Sequence, residues 1–471
     1  MKEKKRAWEF FSFYDRSGLE KRLTRMAEKG WLLEKIGSFL WTYRRIEPKR
    51  LSFCVSWFPK ASAFDPGPSE EQKTFYDFCE HTGWALACSF GQMQIFYNEA
   101  EDPIPIETDP VMEVDAIHRA VKRTTLPSQL VLLVLALING FLFVYRLLDD
   151  PIGTLASAQN LFTGFCWAVL ILLIAVDCGG YFLWRRKALK VAEQGVFLET
   201  KGHRTFQKIC LAALSLGMIY YLVSILTSED EIIMVTALLT FGVYLPGVYL
   251  LTHSVMAFLK KKTAPAKVNR TVTLVVSFAA AFVLIGGITW GVLAGSSRGW
   301  FAGKDETYEY EGVIFTAPHD ELPLTMEDLL DADYSGYIKE WSKSQSFLLA
   351  QYDARQVPRF DAASRREMPR LEYTITLVKL PALYGICKNA LLTDWEDDWR
   401  PDGHKNYATL IDPAPWGAEE VYQLANQEYG PENVFLLCYR DRLVEINFSE
   451  DWDVTPEQMS RVSEKIGTVN R

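Results

Sequence analysis

Apolar residues are distributed along this chain in three regimes. Up to position 118 they recur at helix and strand spacings; from 126 to 294 they run almost unbroken; beyond 296 the alternation with polar residues returns. In the first regime Leu19, Leu23 and Met26 line one face of a helix. Ser17 and Glu20 form its capping box and Gly30 its stop. Ser69 and Gln72 repeat the box, Phe75 and Phe78 the apolar face, and Gly83 the stop. Trp31 and Trp84 follow the two glycines, and Leu33 matches Leu86. A Gly37-Ser38 turn matches Gly91-Gln92, and the run Phe39, Trp41, Tyr43 matches Met93, Ile95, Tyr97, with the period of a half-buried strand. With lead-in strands at Glu9–Tyr14 and Ser52–Phe58, each half reads strand-helix-strand-strand. The expectation is a duplicated α+β domain over residues 1–118.

The middle regime contains five runs that approach or exceed the about 20 apolar residues needed to span a bilayer: Leu126–Leu148, Leu161–Trp184, Ile209–Thr227, Ile232–Leu259 and Val272–Ala294. Hydrocarbon offers the backbone no hydrogen-bond partner, so such runs must be helices. The fold class is therefore α+β soluble domains flanking an α-helical membrane region over 119–295, with a second α+β domain over 296–471. The loops assign a direction. Arg119, Lys122 and Arg123 precede the first run, seven Lys and Arg lie between 185 and 208, and five lie between 260 and 270. The loops Asp149–Asn160 and Ser228–Glu231 contain none. Positive charge stays in the cytoplasm, which puts the N-terminus inside and the C-terminal domain outside.

In the last regime Tyr308–Phe315, Ser346–Tyr352, Leu371–Lys379, Val434–Arg440 and Leu443–Phe448 read as strands, the last two meeting at a hairpin tip on Asp441. Helices are expected at Met326–Leu330, Pro381–Leu392, Ala418–Glu428 and Pro456–Ile466.

Composition changes this picture little. The net charge of −9, with no continuous basic face, argues against nucleic-acid binding. The N-terminal run Ala7–Tyr14 is too short and too aromatic for a signal peptide, so none is expected. No pattern indicates a catalytic, cofactor-binding or metal site. Gly295-Ser296-Ser297-Arg298-Gly299 has nucleophile-elbow spacing, but at the end of an apolar helix rather than at a strand-to-helix turn. The six histidines are scattered, and the acidic run Asp394–Trp399 lacks the glycine of a calcium loop.

Three intramembrane features are candidates for function or packing. Asp177 is a carboxylate within hydrocarbon, eight residues before Arg185; His253 lies seven before Lys260. The similar depth predicts that the two can pair, as a structural contact or a relay. Gly287, Gly291 and Gly295 form a small-residue face suited to close helix packing. Pro246 should kink the fourth helix. Outside the membrane, Cys387 and Cys438 are either one disulfide or two buried thiols.

The elements Phe11-Ser12-Phe13-Tyr14-Asp15, Met26-Ala27-Glu28-Lys29-Gly30-Trp31-Leu32-Leu33, Thr42-Tyr43-Arg44-Arg45 and Gly83-Trp84-Ala85-Leu86 resemble the family called domain of unknown function 2812. The resemblance covers about the first 110 residues. It implies a multi-pass membrane protein of Gram-positive bacteria, in a family whose genes often lie beside regulators of the PadR type, and no active-site residues. The architecture points to a non-enzymatic sensor or regulator of envelope or ligand signals. Its partners would be the lipid bilayer, a cytoplasmic regulatory protein and an extracytoplasmic ligand or protein. A transporter or its accessory subunit, and a structural envelope assembly factor, are the alternatives.

Overall fold

The computed structural model describes residues 3–37, 40–227, 231–296, 306–334, 336–360, 368–397, 405–449 and 452–466, with 298, 300 and 362. Ser38 and Phe39 of the first predicted turn and strand, Ser297 and Gly299 of the elbow-like run, and Asp398 and Trp399 of the acidic run lie outside the described residues. The chain packs as two units. One is Met1–Gly140, Cys166–Ile219 and Leu238–Gly286; the other is Phe141–Phe165, Tyr220–Ala237 and Gly287–Arg471.

The first unit begins with the duplication. Strand β1 (Lys4–Ala7), helix α1 (Arg16–Glu28), β2 (Trp31–Lys35) and β3 (Trp41–Arg45) form one half. The other is β4 (Ser52–Trp57), α2 (Glu70–His81), β5 (Ala85–Phe90) and β6 (Met93–Asn98). The sheets have the same antiparallel order, β1-β3-β2 and β4-β6-β5. Gly30 and Gly83 hold matching positive φ angles of 78° and 85°, which glycine adopts without the Cβ penalty. Leu33, Tyr43, Phe53, Val55 and Ile95 from both halves share one core.

Two local expectations are corrected. The lead-in strand of the first half is Lys4–Ala7, leaving Glu9–Tyr14 irregular. The first helix is capped by Asp15, whose side chain accepts from Gly18 N at 3.1 Å, rather than by a Ser17–Glu20 box. The Ser69–Gln72 box is present in the second half.

Among the described residues five helices are long and apolar enough to cross a membrane: α3 (Pro110–Asp149), α5 (Ala158–Ala192), α6 (Arg204–Leu226), α7 (Met234–Lys261) and α8 (Ala266–Ser296), with a short α4 (Pro151–Ala156) after α3. In α7 a π-turn over Thr240–Tyr244 stands immediately before the Leu245-Pro246 step. Proline has no backbone N–H to donate to the preceding turn, and a widened turn is one way a helix accommodates that loss.

The second unit carries a hairpin, β7 (Glu306–Tyr310) with β8 (Val313–Ala317), and a seven-stranded antiparallel sheet. The sheet strands are β9 (Tyr337–Gln345), β10 (Leu349–Pro358), β11 (Leu371–Val378), β12 (Asn406–Ile411), β13 (Glu420–Asn426), β14 (Gly430–Cys438) and β15 (Arg442–Phe448). Their spatial order is β12-β13-β14-β15-β11-β10-β9. The single strand expected at Tyr308–Phe315 is thus a hairpin, turning at Glu311 and Gly312, both with positive φ. One sheet face packs with Val462 and Ile466 of α10 (Pro456–Ile466). The other packs with Ile152 and Ala156 of α4 and with Cys387 and Trp395 of α9 (Tyr384–Asp397). Both faces are therefore covered. The helix expected at Ala418–Glu428 is strand β13, and its Val421 and Leu424 enter opposite cores.

Candidate functional site

The irregular segment Glu9–Asp15 ties the duplicated domain to the long helices, residue by residue. Ser12 Oγ donates to Asp177 Oδ1 on α5 at 2.8 Å and accepts from His203 N at 3.1 Å. Gln207 Nε2 of α6 donates to both Asp177 oxygens, at 3.1 and 2.9 Å. Asp177, a costly carboxylate in an apolar helix, is thereby held by uncharged donors from two other elements.

Glu9, whose side chain is fully buried, accepts from Arg22 of α1 at 2.9 Å, from Arg204 of α6 at 3.0 Å and from Tyr43 Oη at 3.2 Å. The Arg204 guanidinium also lies over the Phe11 ring, 4.9 Å from its centroid. Burial, then the nearby Glu9 charge, pushes the Tyr43 hydroxyl well above its usual pKa. Tyr14 stands against Tyr181 and Trp184 of α5, with ring centroids 5.7 and 5.8 Å away, and donates to Lys201 O at 3.2 Å. Burial and then the Asp177 charge raise its pKa to about 12, so it remains a donor at any physiological pH.

A second tie runs through Arg16. Its guanidinium pairs with Glu20 at 2.8 Å, with Glu107 at 3.3 Å and with Glu113 of α3 at 2.8 Å. Burial lowers the affinity of Arg16 for its proton, but these carboxylates more than reverse that, and it stays charged. Asn269 of α8 donates to Phe64 O at 3.0 Å. The duplicated domain is thus bonded to α3, α5, α6 and α8.

Beside the joint lies a cavity of about 380 Å³ between α3, α5 and α6. Phe10 and Phe11 border it, leucines and Ile174 form its walls, and Glu9, Gln129, Asp177 and Gln207 supply its polar lining.

The Asp177–His253 pair is not formed. His253 packs on Tyr249, with ring centroids 4.3 Å apart, and lines a different cavity with Ala61 and Gly91. Equal depth in two helices sets their height and says nothing about which faces meet. A Cβ at Gly287 or Gly291 would meet no atom within 4 Å among the described residues, which leaves that face of α8 open. Gly295 lies one residue before the C-terminal end of α8. Cys387 and Cys438 are both free and buried, which makes them thiols rather than a bridge.

Sequence reasoning missed Glu9, Ser12, Gln207 and Arg204 as site residues. The only signal was Phe11-Ser12-Phe13-Tyr14-Asp15, a polar-aromatic run at the head of the first repeat that reads as a lead-in strand in the sequence alone.

Five membrane-length apolar helices and two β-rich α+β segments define a multi-pass membrane protein. Within that class, residues 15–128 match the model of the family described as Protein of unknown function (DUF2812). The match begins at Asp15, so Phe11–Tyr14 of the joint lie just before it. No curated protein and no solved structure matches the chain.

Proposed function

We propose that this protein is a non-enzymatic membrane sensor or regulator whose N-terminal domain reports the state of its membrane helices to a cytoplasmic partner. In this reading residues 1–118 are cytoplasmic, 119–295 span the membrane and 296–471 are outside. The fifteen Lys and Arg in the loops on one side support that direction. The observation that carries the proposal is the joint at Ser12, Asp177 and Gln207. A rearrangement of α5 against α6 has to break or move bonds that hold the domain. A ligand can bias such an element only by binding its two arrangements unequally. A polar cleft of about 430 Å³ in the second unit, lined by Asp320, Glu340, Lys343 and Tyr221 among others, is the candidate place for an outer signal.

The test is crosslinking of the tagged full-length protein in its own membrane, beside the Asp177→Asn variant, with captured proteins identified by mass spectrometry. The expected result is a cytoplasmic regulatory protein crosslinked to the N-terminal domain, in an amount that changes in the variant. Capture of transport subunits, or the same proteins in equal yield from both forms, overturns the proposal.

A further inference from the structure

The cavity at the joint is lined by two carboxylates, Glu9 and Asp177, and two amides, Gln129 and Gln207. Glu9 is neutralised by Arg22 and Arg204, whereas Asp177, among the described residues, is hydrogen-bonded by the uncharged Ser12 and Gln207. Gln207 spends its amide nitrogen on Asp177, and its Oε1 is buried with no hydrogen-bond partner among the described residues. Gln129 Oε1, on α3, is likewise buried and unpartnered. One cavity is therefore lined by the Asp177 carboxylate and by two residues, Gln129 and Gln207, whose amide oxygens have no partner among the described residues, with leucine walls. Buried acceptors without donors are uncommon because each loses its bond to water and gains nothing in return.

The geometry points to a ligand complementary in each respect, and we propose that the cavity binds a single-chain primary ammonium amphiphile from the membrane. A protonated primary amine carries one positive charge and three N–H donors, matching Asp177, Gln129 and Gln207. Its hydrocarbon tail fits among the leucines of α3, α5 and α6. Anions are excluded by the carboxylates, and a quaternary ammonium has no N–H to offer the two amides. The volume lies at the lower end of the roughly 300–1,000 Å³ that holds small organic ligands. The inference rests on the signalling reading only in that occupancy would shift the joint; binding itself is independent of it.

The test uses full-length protein in phosphatidylcholine nanodiscs, titrated with octylammonium or octyltrimethylammonium. Thermal stability and hydrogen exchange of residues 9–17 are the readouts. Octylammonium should give a saturable rise in Tm, with the trimethyl analogue about tenfold weaker or worse. Gln129→Leu removes an oxygen that bonds nothing among the described residues, so the fold should be retained, and it should weaken binding about tenfold, as expected for a hydrogen bond to a charged group. Asp177→Asn should weaken it further. Equal affinity for both amines, or no change in either variant, identifies bulk partitioning and overturns the site. Saturable, variant-sensitive binding with unaltered exchange at 9–17 establishes the site and overturns the signalling role of the joint.

Discussion

Ser17 and Thr200 hold each other by reciprocal hydrogen bonds: Ser17 N donates to Thr200 Oγ1 at 2.8 Å, and Thr200 N donates to Ser17 Oγ at 3.1 Å. Thr200 Oγ1 in turn donates to Asp15 at 3.1 Å. The first turn of α1 is thereby fastened to the segment between α5 and α6, and the residue that sequence assigns to a cap instead makes a tertiary contact. Thr200→Val keeps the shape and leaves Ser17 N without its acceptor. It should cost about 1–3 kcal/mol. Denaturant unfolding of the full-length protein checks the cost, with faster exchange at the start of α1 as its local signature.

Gly180 on α5 is where the joint approaches most closely. A Cβ there would lie 2.5 Å from His203 Nε2 and 2.6 Å from the Tyr14 hydroxyl. Gly180→Ala should therefore push Tyr14 from Lys201 O and destabilise by about 1–3 kcal/mol, the range for overpacking. Gly179→Ala, whose Cβ would meet nothing within 4 Å, is the control. Equal melting temperatures for the two variants would contradict this packing.

In the second unit Asp328 accepts from Thr325 N and from Lys465 of α10, the latter at 3.0 Å. Burial works to raise its pKa, and these bonds outweigh it, leaving the carboxyl below its usual value of 3.8. A depressed folded-state pKa contributes stability above the unfolded value that disappears as pH falls through the folded one. Asp328→Asn should thus cost about 1 kcal/mol at neutral pH, with the difference from wild type vanishing below the depressed pKa. Melting curves from pH 7 down to strongly acidic conditions measure it.

Burial raises the Cys387 and Cys438 thiols to about 11 each. The thiolate is the reactive form, so neither should label with maleimide at pH 7 in the folded protein. Both should label on unfolding without reductant. A requirement for reductant would mean that they are bridged.

How much of this was readable differs by region. The five long helices and the duplicated strand-helix-strand-strand pattern were legible, because a bilayer demands length and hydrophobicity, and repeated caps, stops and phases are local signals. Strand β13 was not. With both sheet faces covered, Val421 faces one core and Leu424 the other, so their spacing of three imitates a helix. The mutual positions of Ser12, Asp177 and Gln207 were equally hidden, since 165 residues separate the first two.

Sequence by itself determined that the chain enters a membrane, how many times it can cross, and that its first domain is doubled. Each of these follows from interactions between near neighbours or between a segment and its solvent. Only the tertiary structure decided that Asp177 answers to Ser12 and Gln207 rather than to His253, and that Ser17 reaches Thr200. Those outcomes depend on which faces of distant segments meet, and hydropathy carries no information about azimuth.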